Sequence, residues 1–144
     1  MLKIEVITDL TDEPVSLAEV KAMLRITGSG HDSVILSMIT MARKYLEGAL
    51  NKSLGEKTLK LTCDDEYEEY DLPYGPNQTI TDEDEDDDDN YVYTYTTGYE
   101  TVPDDIKMLL MLTIKYWYDI DDIGAELPKS IQNLIATNTT TPML

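Results

Sequence analysis

Apolar positions along the chain change period several times, and each change marks an element. Leu2 to Thr8 alternates weakly and is rich in Ile and Val, which predicts a short strand. Asp9 to Pro14 is turn-forming linker. Ser16-Leu17-Ala18-Glu19 has the pattern of a capping box, so a helix is expected to open at Ser16. Leu17, Val20 and Leu24 fall on one of its faces, and Gly28-Ser29-Gly30 breaks it after Ile26. A second helix, capped by Asp32 or Ser33, follows. Ile35, Met38, Ile39, Ala42, Leu46, Ala49 and Leu50 recur along it at three- and four-residue steps through to Asn51. Val34, Met41 and Tyr45 make a further stripe beside that face, wider than one core contact needs.

The middle of the chain alternates in twos. Thr58 to Cys63 predicts a strand, and Asp71-Leu72-Pro73-Tyr74-Gly75-Pro76 is rigid turn material. Gln78-Thr79-Ile80 starts another strand. Tyr91 to Thr97 alternates again, with Tyr91, Tyr93 and Tyr95 on one side. The simplest layout pairs these two as a hairpin with residues 81–90 as an acidic loop at its tip. Pro103, Asp104 and Asp105 open a third helix, where proline suits the first turn and acids suit the dipole. From Ile106 to Tyr118 this helix is apolar almost all round, so it is either the central core element or shared with a partner. Leu127-Pro128-Lys129-Ser130 opens a short fourth helix with Ile131, Leu134 and Ile135 inward. The pattern predicts an α+β fold: a three-helix core, a short fourth helix and a small antiparallel hairpin or sheet. It divides into one domain over residues 1–135 and an extended, Thr-rich tail over 136–144.

Charge and composition narrow the functions. Eleven Lys and Arg stand against 29 Asp and Glu, a formal net charge of −18, which repels phosphate backbones and anionic lipid. The 42% of hydrophobic residues suffices for a folded core. No apolar run approaches the 20 or so residues that span a bilayer, and the first residues are no signal peptide. The lone cysteine, Cys63, excludes an internal disulfide and the cysteine-rich zinc sites.

Three constellations have residue types that could carry chemistry. Ser29, His31 and Asp32 are neighbours on one loop, where a nucleophilic triad seldom converges; a flexible loop with a helix cap is the better reading. The run Asp82, Glu83, Asp84, Glu85, Asp86, Asp87, Asp88, Asp89 lacks the glycine and terminal glutamate of an EF-hand, and unspaced acids cannot all face one ion. It reads as a solvated, mobile loop. Asp119, Asp121 and Asp122 lack any accompanying His, Lys or Arg motif and read as a solvated helix end, with retention for a partner as the alternative. No catalytic residue, metal site or cofactor is predicted.

Two blocks carry a resemblance. The first runs Glu13-Pro14-Val15-Ser16-Leu17-Ala18-Glu19-Val20-Lys21-Ala22-Met23-Leu24-Arg25-Ile26, then Ile35 to Leu54 with Ala42-Arg43-Lys44-Tyr45-Leu46-Glu47. The second is Gly98-Tyr99-Glu100-Thr101-Val102-Pro103 leading into the helix with Tyr116-Trp117-Tyr118. In order and spacing the chain resembles the head–tail connector (head-completion adaptor) proteins of tailed bacteriophages. The acidic run departs from that pattern.

That resemblance implies a structural virion protein, made in the bacterial cytoplasm and placed at the head–tail interface. Such adaptors form a ring, usually dodecameric, beneath the portal; it extends the DNA channel and docks stopper or tail-completion proteins. DNA would pass through without sequence-specific binding, and no membrane is involved. The implied subunit interface is Val34, Met41, Tyr45, Met108, Met111 and Tyr116. The implied docking tail is Thr139, Thr140, Thr141, Pro142, Met143 and Leu144. Two other classes compete: an acidic decoy that mimics DNA toward a basic protein, and a metal-dependent enzyme using Asp119, Asp121, Asp122 or the acidic run.

Overall fold

The structure is a computed structural model and describes residues 2–140. Its elements, in chain order, are β1 (Leu2–Thr8), α1 (Leu17–Leu24), α2 (Asp32–Leu50) and β2 (Lys57–Cys63). A short 3-10 turn (Glu69–Asp71) precedes β3 (Thr79–Glu85), β4 (Tyr91–Thr97), α3 (Asp104–Ile120) and α4 (Lys129–Asn138). The four strands form one antiparallel sheet in the order β1-β2-β4-β3. β1 and β3 are therefore its two edges. The fold is α+β, as the periodicities predict.

The predicted capping box is present. Ser16 Oγ accepts from the Glu19 amide at 3.1 Å, and Glu19 returns the bond to the Ser16 amide at 3.2 Å. α1 ends at Arg25, which takes left-handed backbone at φ 58° and donates to the Ala22 carbonyl. α2 differs from expectation at its start. His31, not Asp32 or Ser33, holds the cap position, and its side chain makes no cap bond. Asp32 instead spends its carboxylate on Lys21 at 2.8 Å, which ties the start of α2 to α1.

Two hydrophobic clusters divide the interior. The helical one is assembled from α1, α2, α3 and α4 around Ile35, Leu46, Leu110, Ile114 and Trp117, all essentially without solvent contact. Burial of each such side chain contributes about 1.5–3 kcal/mol. Thr113, also buried here, satisfies its hydroxyl on the Leu109 carbonyl. The sheet cluster is smaller: Leu59, Leu61, Cys63, Leu72, Tyr93 and Tyr95. Tyr93 and Tyr95 face inward, as the alternation predicts, and Tyr95 donates its hydroxyl to the Pro73 carbonyl at 2.8 Å.

One junction between the two halves lies just past α2. Ser53, just past α2, donates from its amide to Gly75 and from its hydroxyl to the Tyr74 carbonyl. Thr97, at the end of β4, donates its hydroxyl toward the Tyr74 and Pro76 carbonyls. Gly98 follows at φ +118°, a conformation L side chains rarely adopt. A β-carbon there would stand 1.8 Å from the Gly55 carbonyl oxygen, so no larger residue fits.

Two boundaries were misplaced by the sequence reading. The acids Asp82, Glu83, Asp84 and Glu85 are not loop but the second half of β3, paired with Thr94, Tyr93, Val92 and Tyr91. Only Asp86 to Asn90 turns, and that turn is held together: the Asp86 carboxylate accepts from the Asp88 and Asn90 amides and the Asn90 side chain. At the other end, α4 continues through Asn138, so Ala136 is helical and not the start of a tail. Leu134 was expected inward but is exposed; only Ile131 and Ile135 of that trio are buried.

Candidate functional site

Among the described residues, the constellations considered for chemistry do not come together. His31 sits edge-on to Tyr118 with ring centroids 6.3 Å apart, and the Asp32 carboxylate turns to Lys21. The Ser-His-Asp loop thus forms no relay. Asp119 pairs with Lys115 one turn back, and Asp121 supplies the left-handed end of α3. Among the described residues, no three His, Cys, Asp or Glu side chains are grouped to hold a metal ion. Among them, too, no helix is long and apolar enough to cross a membrane. Cys63 is buried in the sheet cluster, and burial pushes its thiol above the ordinary range, which leaves it a poor nucleophile.

What the surface does hold is apolar area with nothing on it. Val34, Met41 and Tyr45 lie on one flank of α2 and Met108 on α3, each 46–59% exposed. Val34, Met41 and Tyr45 repeat at seven and four residues, so they line up along the helix. Tyr45 is fixed by an edge contact with Trp117, centroids 5.7 Å apart. Met111 and Tyr116, the other two expected interface residues, are half-buried and pack against the helical cluster. The six therefore do not make one uniform exposed patch.

Sequence reasoning missed a second apolar exposure. Leu2, Val6 and Ile7 on β1 are 49–55% exposed, at the open edge of the sheet. Their alternation was visible, but not that the strand would be an edge.

It also missed the role of Arg43 and Glu47. Both face the opposite flank of α2 and are buried, at 3% and 4% exposure. The Arg43 guanidinium donates to Glu13 at 2.9 and 3.0 Å, to Glu47 at 3.0 Å and to Asp9 at 3.2 Å. Glu47 in turn accepts from Lys57 at 2.8 Å and from the Leu54 amide at 2.9 Å. The cluster pins the β1–α1 linker, α2 and β2 to one another. Burial alone would lower the Arg43 pKa; the bonds to Glu13 and Glu47 outweigh it and raise the net value. Burial likewise pushes Asp9 upward, but the Leu10 amide, Arg43 and Lys57 together hold its carboxyl below the usual range. Apolar neighbours flanking a buried Arg and Glu at i, i+4 were the available signal.

The expected tail begins with contacts to the body. Thr139 donates its hydroxyl to the Ala49 and Ile135 carbonyls, and the Thr140 amide donates to Leu50. The bonds to Ala49 and Leu50 use free carbonyls at the end of α2. Thr141, Pro142, Met143 and Leu144 lie outside the described residues.

Comparison with known proteins adds to this geometry. No curated protein matches the chain. Solved structures share its fold over nearly all of both chains. One is from the neck of an empty gene transfer agent (GTA) particle computed with C6 symmetry: TM-score 0.74, 19% identity, covering 99% of this chain and 97% of that one. Another is from the neck of the native GTA particle computed with C12 symmetry: TM-score 0.72, 17% identity, 99% and 97% covered. A third is from the virion of the native particle: TM-score 0.71, 18% identity, 98% and 97% covered. Residues 14–141 match the family described as phage gp6-like head-tail connector protein. With that match spanning nearly the whole chain, the protein belongs to the phage gp6-like head-tail connector family.

Proposed function

We propose that this protein is a structural, non-enzymatic component of a phage virion, and that its copies close into a twelve-membered ring beneath the portal. The ring extends the DNA channel and presents its lower face to stopper or tail-completion proteins. The observation that carries this reading is the connector-family match over residues 14–141. Two further observations support it. Structures with the same fold come from particle necks computed with C6 and C12 symmetry. The chain also leaves Val34, Met41, Tyr45 and Met108 uncovered although its own core is closed. Head-to-tail contacts between identical subunits generate rings when the rotation closes.

In this reading residues 1–138 form the ring body, and the tail starts at Thr139. From its anchor on α2, the tail through Leu144 docks onto the portal or a neighbour. The net charge of −18 suits a conduit, because a negative wall lets DNA slide without holding it. Eight of the 29 acids run unspaced through β3 and its turn, which fits the phosphate-like spacing of a decoy poorly.

The test is assembly with the portal protein of the same phage. Purified chain and portal are mixed, weighed by mass photometry and imaged by electron microscopy. The expected outcome is a second ring stacked on the portal. Failure to bind the portal in any oligomeric form would overturn the proposal, whereas a monomer in isolation would not.

A further inference from the structure

Thr140 is fastened to the body, and Thr141, Pro142, Met143 and Leu144 follow it. The Thr140 amide donates to the Leu50 carbonyl at 3.0 Å, and the Thr139 hydroxyl donates to the Ala49 carbonyl beside it. Thr140 also forms part of the wall of a cleft of about 300 Å³. Tyr70, Leu72, Pro76 and Tyr99 give that cleft its apolar lining. We propose that, in the free subunit, Pro142, Met143 and Leu144 seat in this cleft of their own chain. The proposal goes beyond the ring reading, because a tail seated here has to be released before it docks on the portal.

Distance favours this occupant over a second copy. Four residues of extended backbone reach about 13 Å. Thr140 already stands in the wall, so the segment after it starts at the cleft and has no gap to bridge. A short tether holds its far end near the site at an effective concentration on the order of millimolar. A separate chain reaches that level only when the protein is itself very concentrated.

The chemistry of the cleft fits the same segment. Tyr70 is 74% exposed, the most exposed large apolar side chain among the described residues. The polar side chains of the lining are engaged within the fold. Asn51 accepts from the Tyr74 amide at 3.1 Å, and Gln78 donates to the Leu72 carbonyl at 2.8 Å. Lys52 and Asp71, also in the lining, carry opposite charges, so together they give the cleft no net charge to draw an ion. What remains on offer is tyrosine ring and aliphatic surface. A thioether makes favourable contacts with aromatic rings, and a leucine adds apolar area. The volume lies at the lower limit of clefts that hold small ligands, about 300–1,000 Å³, which suits a few side chains and not a partner helix.

The test uses the full chain alone, without portal, and reads the Met143 methyl group by NMR, assigned as the signal lost in M143L. A methyl held against a tyrosine face is shielded by the ring. The expected signal therefore lies upfield of the position of a free methionine, stays there on dilution, and returns to the free position in Y70D. Removing residues 141–144 should shift the Gln78 and Tyr99 amides across the cleft. Y70D changes an exposed side chain, and its melting transition is expected to stay near that of the parent. A Met143 methyl at the free position in the parent overturns the proposal, as does a displaced one that Y70D leaves in place. A displacement that fades on dilution assigns the cleft to the tail of a second copy and overturns it too. So does a truncation whose shifts stop at residues 137–140. None of these outcomes touches the connector reading, which stands or falls on portal binding measured separately.

Discussion

The helical half and the sheet half of this molecule are built to different standards of self-sufficiency. The helices surround a deep aliphatic cluster in which Trp117 is fully enclosed and even its indole nitrogen is satisfied, donating to the Ala125 carbonyl at 2.9 Å. The sheet has a shallow cluster of six residues, a third of it tyrosine, and Leu2, Val6 and Ile7 exposed on its edge strand β1. The difference teaches where a partner is needed. The helical half closes a deep core and leaves a stripe exposed, whereas the sheet half closes a shallow one and leaves apolar side chains along its β1 border.

That contrast is exposed to experiment. The largest effect is expected from Trp117→Ala, which should cost about 3–5 kcal/mol in denaturant unfolding, because nothing can collapse into the space it leaves. Arg43→Ala is expected to cost less, about 1.5–3 kcal/mol, since Glu47 loses one charged partner but keeps Lys57 and the Leu54 amide. In the sheet half, Tyr95→Phe should cost about 1–3 kcal/mol by leaving the buried Pro73 carbonyl without its donor. A loss from Tyr95→Phe as large as that from Trp117→Ala would break the comparison.

The smaller effects sharpen it. Asp9 has its folded pKa depressed, so its contribution is present above the unfolded value of about 3.9 and is lost as pH falls through the lower folded value. Asp9→Asn should therefore flatten the acid limb of stability against pH, by no more than about 1 kcal/mol for so exposed a pair. An acid limb unchanged by the substitution would show that Asp9 gains nothing from Arg43. The smallest effect is expected from Val6→Lys: within about 0.5 kcal/mol for the isolated chain, because the side chain already faces solvent. Met41→Lys should match it in stability but assemble poorly on the portal, so stability and assembly part company at the exposed stripe of α2.

Legibility followed the same division. The helices could be read because their apolar positions repeat over many residues, and the Ser16–Glu19 box and Pro103 mark their starts. Tyr93 and Tyr95 could be assigned inward from alternation alone. Asp82 to Glu85 could not be assigned to a strand, because four acids in a row have no strand propensity. They are extended because β4 beside them supplies the ladder and because both their faces are wet. Leu134 failed for the opposite reason: its spacing is right, but α4 is a surface helix whose buried face is only as wide as Ile131 and Ile135. The glycine of the Gly98-Tyr99 block was legible as a motif, yet its cause, contact with the Gly55 carbonyl, joins residues 43 positions apart. Of the expected interface, Val34, Met41, Tyr45 and Met108 were recoverable from helix period. Met111 and Tyr116 needed the packing of α3 to be known.

The Arg43 cluster has a mechanical consequence. Tension applied to β1, as when a neighbour tugs on the rim of the sheet, does not end at the β1–α1 linker. Asp9 and Glu13 hand it to a guanidinium seated in the middle of α2, and Glu47 passes part of it back to β2 through Lys57. The strand and the longest helix are thus geared together, so a strain felt at one border of the subunit is delivered to the helical body rather than dissipated by a slack connection.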